Sequence, residues 1–307
     1  MKFVEVGEMA RQFELEVVAG ASGLGRRVFK SRSHRPGLEL AGFFDFFQHE
    51  RVQVFGLKEM HYLKSLPEEE QEARVRNLLA HDPPCFVVTT GQEIAPPLER
   101  CCQEADIPLM RTKEKTYEFI DKLDAYLARA LAPEIAIHGV CLNVSGIGIL
   151  LRGKSGIGKS EVAHTLIRRG HRLVADDIVV LKKLSSRTLI GTHNKTSREF
   201  LALRSIGLIN VVRMYGRRAF QDETRIALDI ELTRWEEHAL NNELEMEPKH
   251  SNYLDVLIPQ IEIQLTPGRD VAGLIEAAAN SWYLRQQGYS AAEEFMRRVE
   301  EDLEANR

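Results

Sequence analysis

Residues Gly153–Ser160 read Gly-Lys-Ser-Gly-Ile-Gly-Lys-Ser and satisfy G-x-x-x-x-G-K-[ST], the phosphate-binding P-loop. Such a loop sits between a buried strand and a helix, so it fixes the local architecture. Glycines at 153, 156 and 158 let backbone N–H groups turn inward around phosphate oxygens. Lys154, Ser155 and Ile157 complete the cradle. Lys159 reaches the β/γ-phosphates, and Ser160 puts its hydroxyl on a magnesium ion. The positive end of the following helix faces the phosphates. At ordinary glycine frequencies a chance match somewhere in 307 residues has a probability of roughly 1%. The flanks agree: Ile149-Leu150-Leu151 is a short buried-strand run, and Glu161–Arg169 has helical spacing.

Composition removes several other classes. The chain is 44% hydrophobic and 28% charged with a net charge of −4, which fits a globular protein and gives no general basic field for nucleic acid. No apolar run approaches the roughly 18 residues of a membrane span. Glu5 and Glu8 interrupt any signal-peptide pattern at the N-terminus. Cys85, Cys101, Cys102 and Cys141 form no C-x-x-C pair, and reduced thiols in a cytoplasmic protein are the expectation.

The pattern predicts two domains, an N-terminal α/β domain over 1–132 and a C-terminal P-loop domain over 133–307. In the first, Met9–Leu15, Glu68–Leu79, Pro97–Ala105 and Thr116–Leu131 read as helices. Cys85–Thr89 and Pro108–Met110 read as strands. His34-Arg35-Pro36-Gly37 is a surface turn that could hold an anion. Pro133 ends the last helix and marks the boundary.

In the second domain Ile135–Val144 and Ile147–Arg152 predict a hairpin feeding the loop. Gly170 stops the loop helix. His171–Ala175 is then a strand ending in Asp176-Asp177, a Walker-B pattern that delivers a carboxylate beside the magnesium. Neighbouring strand residues point to opposite faces, so the two acids divide their work. Asp177 is read as the proton-transfer base and Asp176 as the metal or positioning group. His138 could reach the same pocket or be a satisfied core residue. Arg204 lies in the mostly apolar run Leu201–Val212, where a buried arginine needs either phosphate or an acid of the fold. Arg269 follows the strand Ile261–Leu265 on a Pro-Gly turn, which is a plain turn or a phosphate clamp. Trp235–His250 reads as a polar, acidic loop or flap. Leu274–Leu284 and Ala291–Leu303 close the chain as helices, the last docking through Phe295, Val299 and Leu303. A GTPase is disfavoured: Asn194-Lys195-Thr196-Ser197 lacks the guanine-reading aspartate, and the only D-x-x-G, Asp270–Gly273, comes after it.

These residues resemble the bacterial HPr kinase/phosphorylase family. The similarity is carried by Arg35–Gly42, Leu66–Glu70, Ile137-His138-Gly139, Gly153–Glu161, Arg169–Asp177, Pro267-Gly268-Arg269 and Ile275–Ala278. The resemblance implies a mixed-sheet kinase domain related to phosphoenolpyruvate carboxykinases. It implies ATP and Mg2+ as cofactors, HPr as protein partner and a homohexamer. The reaction would be phosphorylation of an HPr serine, reversed by phosphorolysis that releases pyrophosphate. It makes His138, Lys159 and Asp177 active-site residues and Ser160 a magnesium ligand. Two departures stand out. The family's magnesium-binding glutamate is Ala202 here, and an expected arginine is Glu243. The first removes an oxygen ligand and the second places a negative charge where phosphate should bind, so phosphorolysis is expected to be weak. A catalytically degenerate nucleotide sensor and a small-molecule kinase are the alternatives.

Overall fold

The computed structural model describes residues 2–234, 249–266 and 268–305. Glu243, most of the Trp235–His250 stretch and Pro267 lie outside the described residues. The chain divides into two compact units, Met1–Ala132 and Pro133–Arg307.

The first unit holds strands β1 (Val4–Glu5), β2 (Glu16–Ala19), β3 (Arg27–Val28), β4 (Gln53–Phe55), β5 (Phe86–Val88) and β6 (Leu109–Arg111). Its helices are α1 (Val6–Gln12), α2 (Gly37–Leu40), α3 (Leu57–Ser65), α4 (Glu68–Leu79), α5 (Pro96–Glu104) and α6 (Thr116–Ala130). The sheet order is β2-β6-β5-β4, with β4, β5 and β6 parallel. Parallel strands are covered on both faces, which is why β4 and β5 are wholly buried. One face packs on α5 through Leu98 and Cys102, the other on α6 through Phe119, Leu123 and Leu127. All four cysteines are free and buried. The turn at His34–Gly37 holds no open cation: Arg35 donates to both oxygens of Glu59 at 2.8 Å, and His34 meets Glu39 at 3.0 Å.

The second unit is built on a mixed sheet. Its strands are β7 (Glu134–His138), β8 (Val140–Val144), β9 (Ile147–Gly153), β10 (Arg172–Ala175), β11 (Ile178–Ser185), β12 (Thr188–His193), β13 (Phe200–Leu203), β14 (Gly207–Asn210), β15 (Glu223–Arg234), β16 (Lys249–Tyr253) and β17 (Val256–Leu265). Nine of them join in the path β10-β8-β9-β15-β12-β11-β7, with β17 on β15 and β16 on β17; β13 and β14 form a separate hairpin. The helices are α7 (Lys159–Arg168), α8 (Val211–Tyr215), α9 (Val271–Gln286) and α10 (Ala291–Ala305). Ala163, Leu166 and Ile167 of α7 and Ala272, Ile275 and Ala279 of α9 pack on one sheet face. Each fully buried leucine or isoleucine contributes about 1.5–3 kcal/mol. Tyr253, Val256 and Ile258 close the opposite face over Cys141 and Leu150.

Three sequence expectations change. The expected first hairpin strand is two strands, broken at Gly139: β8 pairs with β9, whereas β7 pairs with β11. A Cβ at 139 would sit 2.9 Å from the Leu151 carbonyl oxygen, so only glycine lets the chain cross there. Arg204 is not buried; it is exposed in the turn between β13 and β14. The α10 stripe does not dock on its own chain, since Phe295 is 60% and Leu303 63% exposed. No helix among the described residues is long and apolar enough to cross a membrane.

Candidate active site

Strands β9, β15 and β17 run parallel, so their carboxyl ends lie along one sheet edge. Ligands of open α/β sheets bind outside such ends. The P-loop leaves β9 at this edge. Gly153 has φ 143°, and a Cβ there would lie 2.6 Å from the Leu232 carbonyl oxygen of β15. The sharp exit from the strand therefore requires glycine. Gly158 caps α7 with φ 104°. Lys159 opens that helix, and its Nζ donates to the Gly153 carbonyl at 2.9 Å and to that of Lys154 at 3.2 Å. The ammonium thus lies across the mouth of the loop. Arg204 reaches back to the same loop: a Cβ on Gly156 would meet its guanidinium at 2.8 Å. Glu161 accepts the Arg204 backbone N–H at 3.4 Å, which ties the hairpin turn to α7. Arg269, four residues past the carboxyl end of β17, closes a turn through its N–H to the Thr266 carbonyl at 3.2 Å.

The two aspartates are separated by backbone geometry. Asp176 ends the β10 run and is buried, 4% exposed. Its Oδ1 accepts the Ser160 hydroxyl at 3.0 Å, and its Oδ2 accepts the Ala202 N–H at 2.9 Å. Burial pushes its carboxyl above the usual carboxylate range, and these hydrogen bonds oppose the rise. Asp177 takes φ 66°, which turns its side chain out of the strand. It is 75% exposed and lies 3.5 Å from Nδ1 of His138, itself 84% exposed. His138 ends β7 opposite Ile178, so strand register sets this pair. The structure therefore brings His138 and Asp177 together and puts Asp176 behind Ser160. Among the described residues no group of three or more His, Cys, Asp or Glu side chains is arranged to hold a metal.

The HPr Serine kinase C-terminal domain family matches residues 129–299, and the HPr Serine kinase N terminus family matches residues 4–127. The chain belongs to the HPr serine kinase family. It is 61% identical to the "Putative HPr kinase/phosphorylase 2" of Oceanobacillus iheyensis over 300 residues, 98% of each chain. It is 37% identical to the HPr kinase/phosphorylase of Geobacillus thermodenitrificans over 304 residues, 99% of this chain and 98% of that one. The solved Hpr(Ser) kinase/phosphatase of Coxiella burnetii aligns over 52% of this chain and 98% of that chain, at 30% identity and a TM-score of 0.47, so the assignment rests on the sequence matches.

Sequence reasoning missed three residues around this kinase-family site. Gly139 links the chain after His138 to Asp177, donating its N–H to the Asp177 carbonyl at 3.1 Å. Arg152, the last residue before the loop glycine, pairs with Asp229 at 2.8 Å, and Asp229 is fully buried. The acids Asp229 and Glu231 within the alternating run Ile226–Leu232 were the available signal. The specific run Arg169–Asp177 also finds a structural use at its start. Arg169 pairs with Asp270 and Glu276, and His171 with Glu276 at 2.8 Å, fastening α9 to α7 and β10.

Proposed function

We propose that this protein transfers the γ-phosphoryl group of ATP to a serine of the phosphocarrier HPr. Family membership makes it a serine kinase, and one structural observation supports the chemistry. An exposed carboxylate, Asp177, stands beside an exposed imidazole, one residue on from the Asp176 that holds the Ser160 hydroxyl of an intact P-loop. A nucleotide sensor needs the loop alone; it has no use for a base held out in the left-handed region.

In this reading the loop backbone and α7 hold the ATP phosphates, and Lys159 turns from the Gly153 and Lys154 carbonyls toward the γ-phosphoryl. Arg204 and Arg269 add positive charge and neutralise the charge spread over the transferred group. Asp177 accepts the serine proton as the oxygen attacks phosphorus, and the phosphorus–ADP oxygen bond breaks. His138 orients Asp177 and shares its charge. Asp176 holds the Ser160 hydroxyl so that an oxygen lone pair faces the phosphates.

The residues fit a magnesium ion. Ser160 offers a hydroxyl oxygen backed by the Asp176 carboxylate, and Mg2+ takes one or two protein ligands together with phosphates and waters. Bound there, it would neutralise developing phosphate charge. Asp176 supports it from behind, with both oxygens occupied by protein donors. Ala202 contributes no ligand, and with Glu243 it supports weak phosphorolysis. We also infer a homohexamer working in the cytoplasm.

Incubation with HPr, ATP and magnesium should yield phosphoserine-HPr. Absence of phosphoserine with tight ATP binding would overturn the kinase reading in favour of a sensor. Phosphoserine-HPr with phosphate should release little pyrophosphate.

A further inference from the structure

The β13–β14 hairpin turns one face to the core through Leu201 and Leu203 and leaves the other in water. On the outer face Ala202 and Leu208 are paired directly across the hairpin. Ile206 in the turn is 71% exposed, Leu208 67%, and Met214 on the helix α8 that follows 60%. Large aliphatic side chains left in water this close together mark an unpartnered surface, unlike single exposed residues scattered over a protein.

The same stretch concentrates positive charge. Residues 195–222 hold six basic side chains and two acidic ones, a net charge of +4 in a chain whose net charge is −4. Lys195, Arg198, Arg204, Arg213, Arg217 and Arg218 are all exposed. Asp222 accepts from Arg198 and from Arg217, each at 3.0 Å, and both guanidinium groups lie over the Phe220 ring, at 5.8 and 5.5 Å. Two cations are thus fixed before any partner arrives, which lowers the entropy lost on binding. Among the described residues Arg213 and Arg218 have no acidic partner.

This surface borders the site through direct contacts. Ala202 donates its N–H to Asp176 at 2.9 Å, and Asp177 is the next residue. The Arg204 N–H donates to Glu161 of α7 at 3.4 Å, and His164 of α7 meets the Tyr215 hydroxyl of α8 at 2.6 Å. Hairpin and α8 are both fastened to the helix of the phosphate loop. An apolar centre with a charged rim is the anatomy of a protein interface. Nucleic acid is met by stacking rings among cations, whereas the exposed centre here is aliphatic.

We propose that the outer face of β13–β14, together with α8 and the turn Arg217–Ala219, docks the protein substrate through an acidic surface around an apolar patch. The proposal rests on the kinase reading above and adds the chemistry by which the acceptor is chosen. Ile206, Leu208 and Met214 cover the apolar patch, and Arg213, Arg217 and Arg218 meet the acids. Docking is then separate from phosphate binding, which belongs to the loop backbone and Lys159.

The test measures kcat and KM for HPr and Kd for ATP in the full chain. Arg213→Glu/Arg218→Glu reverses two exposed charges that support nothing else in the fold. The KM for HPr should rise by about tenfold or more, with kcat at saturating HPr and Kd for ATP within about twofold of wild type. Added salt should raise the wild-type KM and leave that of the double variant nearly flat. Arg187→Glu/Arg225→Glu makes the same charge change at the opposite end of β12 and should leave the KM within about twofold. Leu208→Ser should also raise the KM by about tenfold, now independently of salt. A benzophenone photo-crosslinker carried at position 208 should join the protein to HPr, and one at the exposed position 257 should not. A loss of kcat at unchanged KM, an ATP Kd that moves with the KM, an equal response of the control pair, or cross-linking to a second copy of this chain in place of HPr would overturn the proposal. A wild type that phosphorylates no HPr would overturn the kinase reading along with it. An active wild type with insensitive variants would overturn only the docking surface.

Discussion

The Ser160 hydroxyl donates to Asp176 at 3.0 Å, so the loop residue expected at a metal is oriented by a buried carboxylate rather than by solvent. The other oxygen of Asp176 holds the Ala202 N–H at 2.9 Å. One side chain thereby joins the loop helix to the hairpin that carries Arg204.

Asp176→Asn should separate this joining role from stability. The amide oxygen can replace only one of the two acceptors, leaving a donor facing the amide NH2, at about 1–3 kcal/mol. Removing a charge that burial disfavours works in the opposite direction. Chemical denaturation should show a small net change, while phosphorylation of HPr falls about 10- to 100-fold. A rate within twofold of wild type would contradict the role given to Asp176.

Asp177→Asn isolates the proton transfer. Asparagine tolerates the left-handed φ of 66° nearly as well as aspartate does, so no strain confuses the result. The side chain is mostly exposed, and stability should change by less than about 0.5 kcal/mol. The rate should drop by about 100- to 10,000-fold, with ATP affinity retained. Rapid-quench phosphotransfer and calorimetric titration with ATP would check the two halves.

Much of this centre was legible in the sequence because its requirements are local. Gly153–Ser160 and the strand running into Asp176-Asp177 depend on residues close in the chain, as do the boundaries of the Glu68–Leu79 helix in the first unit. What was hidden depends on partners far apart. Nothing near Gly139 reveals that the chain must cross the Leu151 carbonyl there, or that β7 leaves its expected hairpin to pair with β11. Arg204 read as buried because its neighbours are apolar; in the hairpin Leu201 and Leu203 face the core while the turn projects. Phe295 and Leu303 marked an amphipathic helix correctly, but amphipathicity does not say what covers the stripe.

Two loop glycines should respond differently to alanine. At Gly153 a Cβ would strike a backbone oxygen at 2.6 Å, which cannot move without disturbing β15. At Gly156 it would strike the far end of Arg204 at 2.8 Å, and that end can swing away. Gly156→Ala should cost about 1–2 kcal/mol for its φ of 75°. Gly153→Ala should cost more than that and abolish ATP binding. Equal melting temperatures for the two variants would argue against the close approach of β9 and β15.

Ala202→Glu would return an oxygen ligand to the exposed position whose N–H is already fixed on Asp176. The magnesium concentration for half-maximal HPr phosphorylation should fall. An unchanged magnesium requirement would mean that position 202 does not face the metal in this chain.

Glu276 fastens α9 through His171 and Arg169. The His171 hydrogen bond, followed by that of Arg169, holds its carboxyl below the ordinary glutamate range. A carboxylate depressed in this way stabilises the fold above its unfolded pKa, and the contribution is lost as pH falls through the folded value. Glu276→Gln should therefore be less stable than wild type at neutral pH, and the gap should close on acidification below about pH 4.3. Urea midpoints measured at pH 7 and pH 4 would show a pH-independent gap if the pairing were unimportant.

Arg152 and Asp229 are separated by 77 residues, and the 12-residue β15 is the strand that gives β9 its parallel neighbour. Contacts of such long range close late in folding. During synthesis the hairpin of β8 and β9 is complete as soon as Gly153 is made, yet the loop that follows has nothing at its back until β15 arrives. Competence to bind a nucleotide should thus appear abruptly once the chain has passed Arg234, and a nascent chain stopped earlier should carry the full P-loop sequence without its activity.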